Sequence, residues 1–179
     1  MKSRAYYIKL RNNYLPPKLK VVFIFESPPF SGKYFYDKTG KTSETLFSRM
    51  MEFMDFKDYE NKKEGLEEFQ KRGYFLVDTT YEPVNNIRDD YKRNKKVINN
   101  IPSLINDLEE IFQRAGIKQK GRVKIIIVIK PICRMLRGIL KELGYKIIND
   151  DGHINQEDIP FPDPSCVREF LDKLKKLKA

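Results

Sequence analysis

Residues 20–29 of this 179-residue chain read KVVFIFESPP. After the lysine, positions 21–25 are all β-branched or aromatic, with no polar alternation, the pattern of a strand covered on both faces. Glu26 follows directly, and Ser27-Pro28-Pro29 stops the strand, because neither proline can donate to a ladder and each fixes its own φ. A carboxylate is thereby expected at the carboxyl end of a central strand, the edge at which open α/β sheets bind ligands. The next eight residues, Phe30-Ser31-Gly32-Lys33-Tyr34-Phe35-Tyr36-Asp37, carry four rings, a glycine and a lysine. That is more apolar surface than a solvated loop needs, and enough to stack a flat ligand. The same residues also fit a plainer arrangement, in which Glu26 caps a core strand and Tyr34, Phe35 and Tyr36 cover the sheet.

On either side of this stretch the chain alternates. Positions 5–10 suit a short amphipathic helix, in a segment that interleaves Arg4, Lys9 and Arg11 with Tyr6, Tyr7 and Tyr14. Thr42-Ser43-Glu44 offers an N-cap to a helix running through Met54, with Leu46, Phe47, Met50, Met51 and Met54 at helical spacing. A second short helix spans 62–72 and is ended by Gly73. YFLVD at 74–78 is a second buried strand, again ending in an acid, Asp78. After a turn-rich loop at 79–87, the run RDDYKRNKK at 88–96 opens a helix that continues over 101–115. VKIIIVI at 123–129 is the most apolar strand, and Pro131 suits the first turn of a helix over 132–143. A fourth strand at 145–148 precedes a loop ending in Phe161-Pro162-Asp163-Pro164-Ser165. The terminal helix at 166–178 buries Val167, Phe170, Leu171, Leu174 and Leu177. Strands alternating with helices predict an α/β fold. One domain over 1–179 is expected, a three-layer α/β/α sandwich with a central four-stranded parallel sheet.

Composition narrows the partners. A hydrophobic content of 40%, with 12 Phe and 10 Tyr, excludes a mainly disordered chain. No apolar run approaches a membrane span and the amino terminus has no signal-peptide core, so a cytoplasmic protein without membrane contact is expected, and a monomer. Cys133 and Cys166 make neither a CxxC nor a zinc spacing and read as reduced thiols. With His153 the single histidine, no histidine-rich metal site can form, and no cofactor or metal is expected. The formal charge of +10 points to nucleic acid, whose backbone draws basic surfaces through counterion release. Lys33, Lys92 and Arg93 are the basic residues expected nearest the ligand edge. Two plainer readings stand beside this: a charge run such as RDDYKRNKK is also a solvated helix face, and Lys-rich, Glu-rich surfaces also serve thermal stability.

The order of these motifs resembles the uracil-DNA glycosylase superfamily over nearly the full chain, through short motifs. Phe25-Glu26-Ser27-Pro28-Pro29 is similar to the superfamily's first motif, in which an acid or amide followed by proline lies over the target base and positions the attacking water. The resemblance makes Glu26 catalytic, sets Ser27 and Pro28 against the base, and gives Tyr34 or Tyr36 the part of the aromatic wall. Leu76-Val77-Asp78 is similar to the strand end that usually supplies an asparagine to the base's hydrogen-bonding edge. Asp163-Pro164-Ser165 is similar to the His-Pro-Ser of the second motif, whose histidine stabilises the departing base. That likeness makes Asp163 catalytic and Ser165 a phosphate contact. It implies a uracil-DNA glycosylase-like fold, DNA as partner, and base excision in DNA repair: hydrolysis of the N-glycosidic bond of a flipped, modified or deaminated base.

Two matches depart from the pattern. Asparagine both donates and accepts, whereas ionised Asp78 only accepts and fits a base edge rich in N–H better than uracil. An ionised Asp163 would repel an anionic leaving base. A protonated carboxyl, or a base that leaves after protonation, removes the conflict, since neighbouring acids raise one another's pKa. His153 could fold back to help, although a solitary histidine in a polar loop is more simply exposed. Two rivals use the same residues. Glu26, Asp78 and Asp163 on one sheet edge also describe an oxygen-ligand magnesium site for phosphodiester or nucleotide hydrolysis. A nucleic-acid-binding module of this fold need not turn anything over.

Overall fold

The apolar run that opens the sequence reading becomes strand β1 (Val21–Phe25), buried from Val22 onward because it is hydrogen-bonded along both sides. A computed structural model describes residues 2–149 and 158–178. β1 lies between β2 (Tyr74–Asp78) and β3 (Lys124–Ile127), and β4 (Lys146–Ile147) pairs with the far side of β3. All four strands are parallel, in the order β2-β1-β3-β4. Phe25 is level with Asp78, and Ile24 with both Val77 and Ile127, so the three longer strands end along one edge.

Among the described residues six α-helices flank the sheet: α1 (Arg4–Asn12), α2 (Thr45–Met54), α3 (Lys62–Lys71), α4 (Asp90–Arg114), α5 (Lys130–Glu142) and α6 (Val167–Lys178). α2 packs on α3 and α6, whereas α4 packs on α5. The step from β1 to β2 crosses the sheet one way and the steps from β2 to β3 and β3 to β4 the other. Right-handed crossovers therefore send α2 and α3 to one face and α4 and α5 to the opposite one. Gly73 makes the tight join before β2: its φ is +83, and a Cβ there would lie 2.4 Å from the Lys18 carbonyl oxygen. The amides of Lys20 and Val21 both donate to its own carbonyl.

Two strands are shorter than the apolar runs that predict them. The β3 ladder stops at Ile127, after which Val128 bridges Ile159 in parallel and Ile129 turns to a φ of +81, unusual for a β-branched residue. β4 has only two residues. A side chain then takes over the ladder, since Asn149 accepts from the Ile127 N–H at 3.0 Å and donates to its carbonyl at 2.7 Å. The turn at 150–152 and His153 lie outside the described residues. Among the described residues no helix is long and apolar enough to cross a membrane.

The core also holds charge. Arg11 of α1, 1% exposed, donates to the Tyr81 hydroxyl and to Asp107 of α4 at 3.2 Å, and Asp107 also receives Arg4. This pairing anchors α1 to α4 beneath the β2 end. Asp107→Ala strips the partner from a buried guanidinium and should cost about 3–5 kcal/mol of folding stability, read from urea unfolding midpoints. An unchanged midpoint would show that water reaches Arg11.

Candidate functional site

Because β1 and β2 end level, Glu26 and Asp78 both emerge at that edge, Asp78 level with Phe25 and Glu26 one residue beyond. The pairing runs one step further, with the Thr79 N–H on the Phe25 carbonyl at 2.8 Å and the Thr80 N–H on the Glu26 carbonyl at 3.0 Å. Above this edge opens a cavity of about 470 Å³, within the range of small-ligand pockets, about 300–1,000 Å³. Glu26, Ser27, Pro28, Lys33 and Tyr34 line it from the first loop. Asp78, Arg93 and Asp163 join them from three further segments. Lys92, Tyr36 and Ser165, expected at the same place, are outside it.

Glu26 is 5% exposed and its carboxylate is gripped by Arg93 from the first turn of α4, Nε donating to Oε1 at 2.7 Å and Nη2 donating to Oε2. The hydrogen bonds to Glu26 hold the guanidinium still more firmly charged. Arg93, expected on phosphates, is therefore turned inward as the partner of Glu26. Lys92, one residue earlier, points to solvent and reaches Asp89 at 3.8 Å.

Asp78 is 3% exposed, and its Oδ2 has no hydrogen-bond partner. Burial pushes its carboxyl from the ordinary 3.8 up to about 8; the Arg11 charge opposes this and the Glu26 charge adds to it. At neutral pH it carries a proton. Of the two states weighed from sequence, this favours the protonated one: a neutral carboxyl both accepts and donates, as an amide does. Tyr34 contributes a second buried orphan, its hydroxyl, and burial pushes that phenol well up, so it stays protonated.

The aromatic wall comes from Tyr34 and Phe35, with Phe25, Phe47 and Phe161 completing it. Tyr36 takes no part. Its hydroxyl accepts from the Leu76 N–H at 2.7 Å and donates to the Leu76 carbonyl at 3.2 Å, covering the open side of edge strand β2. Sequence reading counted Phe35 among the loop's four rings but gave the wall to Tyr34 or Tyr36, and it missed Lys62 altogether. Lys62 is 1% exposed, and its Nζ donates to the Tyr34 carbonyl at 2.6 Å and to Glu44 at 2.7 Å. Burial lowers its ammonium, and the hydrogen bond and charge of Glu44 partly offset that. A lysine opening a helix, where the dipole disfavours a cation, was the available signal.

Asp163 reaches the mouth of the cavity but in a different state from Asp78. Its Oδ1 accepts from the Ser165 hydroxyl and, at 2.9 Å, from the Ser165 N–H, which holds its carboxyl below the usual range. Ionised, it cannot donate a hydrogen bond to a departing base, as the resemblance implied. Ser165 gives its hydroxyl and amide to that turn. Among the described residues no three acids, histidines or cysteines gather closely enough to hold a metal ion, so the three acids share the cavity without converging.

Comparison with protein-family models, curated proteins and solved structures finds no match to this chain. The raised Asp78 carboxyl has a direct thermodynamic signature. Between 3.8 and about 8 the folded protein keeps a proton that the unfolded chain releases. Stability should therefore fall as pH rises through that window, by up to about 1.4 kcal/mol per pH unit. Urea unfolding of Asp78→Asn should lack this slope and exceed the parent's stability at high pH; parallel curves for the two proteins would refute it.

Proposed function

We propose that the chain is a DNA N-glycosylase of uracil-DNA glycosylase-like fold, cleaving the bond between a damaged or deaminated base and its sugar. The observation that carries this reading is the neutral Asp78, its Oδ2 unpartnered, at the floor of a cavity walled by Tyr34 and Phe35. A protonated carboxyl sets C=O and O–H side by side, matching a lactam edge where N–H adjoins C=O, as in uracil or hypoxanthine. Its amide-like character removes the objection to uracil that an ionised Asp78 raised. The flat ring would lie against the aromatic wall, and the basic surface would attract the backbone.

In such a reaction the C1′–N bond breaks with its electron pair leaving on the base, and Asp78 stabilises that charge through its O–H. Glu26, close to the same edge, stabilises the cationic sugar. It takes a proton from the attacking water once Arg93 yields one carboxylate oxygen, and the new C1′–O bond completes hydrolysis. A second reading has its own support. Both Glu26 oxygens are occupied by Arg93, an arrangement that also suits a module binding nucleic acid without turnover. The magnesium hydrolase gains nothing from acids that do not converge.

Oligonucleotides carrying uracil, hypoxanthine, xanthine or alkylated bases should acquire abasic sites with a chelator present. Glu26→Gln should slow this by about 10²–10⁴-fold. Tight binding without abasic sites on any base, unaltered in Glu26→Gln, would select the non-catalytic module instead.

A further inference from the structure

Phe30 belongs neither to the core nor to the cavity. It is 58% exposed, while its neighbours Pro29 and Ser31 both line the cavity. The residue is nevertheless fixed. Pro28 and Pro29 restrict the backbone before it, and its N–H donates to the Asn85 side chain at 2.9 Å. Gly32, at a φ of +77, donates its N–H to the Pro29 carbonyl at 3.0 Å and closes a turn with Phe30 and Ser31 at its corner. Asn85 also lines the cavity, so the ring is displayed at the lip by a rigid support. Lys33, exposed and lining the mouth, lies three residues on. A second lip residue, Phe161, is 38% exposed and stands edge-on to Phe25 at a centroid distance of 6.5 Å.

With the backbone already fixed, only the two side-chain torsions of Phe30 remain to be ordered on binding, a small cost for a large aromatic contact. Resting on the nucleobase reading of the cavity, we infer that Phe30 is a stacking platform for the base next to the one in the cavity, and that the partner is a single strand. A single strand exposes the faces of its bases, whereas a duplex hides them in its own stack. Lys33 would neutralise a phosphate beside the two stacked bases.

The test uses the full chain and uracil-containing oligonucleotides with 2-aminopurine beside the uracil, single-stranded and as duplex, read by anisotropy and 2-aminopurine fluorescence. The parent should prefer the single strand, and Phe30→Ala should weaken that binding on the order of 10-fold and lose the fluorescence change. Phe30→Tyr should restore both. Urea midpoints equal to the parent's would establish that the exposed position leaves the fold intact. Unchanged affinity in Phe30→Ala, with Lys33→Ala weakened, would overturn the platform and spare the cavity reading, as would a parent that prefers duplex. A parent that binds no oligonucleotide would overturn both.

Discussion

Strand β1 is bonded on both sides and packed on both faces, so its chain can release polar chemistry only at its carboxyl end. Two prolines make that exit abrupt, and the level ending of β2 brings a second acid to the same place. Both carboxyl groups are buried, and a buried carboxyl ionises only at a cost unless a positive charge compensates it. The fold resolves the conflict asymmetrically. Glu26 is given a guanidinium, while Asp78 is left with neither a hydrogen-bond partner for Oδ2 nor enough nearby positive charge to ionise at neutral pH. Of two like residues, one is held in an ion pair with Arg93 and the other is left unpartnered at Oδ2.

That asymmetry depends on the layer beneath. Arg11 approaches from α1, but its hydrogen bonds go to Asn12, Tyr81 and Asp107 rather than to the Asp78 carboxyl. Its charge tempers the burial of Asp78 without cancelling it. Were the guanidinium to reach Asp78 directly, the acid would ionise and the cavity floor would lose its donor.

The strands and their terminal acids were legible because uninterrupted β-branched runs have one structural use, and a proline pair or a turn marks where they stop. Arg93 was legible in principle: counting back four from buried Val97 puts 93 on the inner face of α4 and leaves 92 outside. Taking RDDYKRNKK as one charged block hid that phase. Asp163-Pro164-Ser165 carried the composition of a side-chain-to-backbone turn, which is what its hydrogen bonds make. The choice between Phe35 and Tyr36 was not legible, because no periodicity holds in a loop and the need to cover the β2 edge arises only after strand order is known. The protonation of Asp78 and the Asn149 bridge likewise depend on neighbours remote in sequence.

Lys62 has one further consequence. Its buried ammonium joins the carbonyl of Tyr34 to Glu44 at the start of α2 and is itself rooted in α3, so the aromatic wall cannot swing outward without stranding a cation in apolar surroundings. The ring face that borders the cavity is thus set in place by the packing of α2 and α3 before anything enters it.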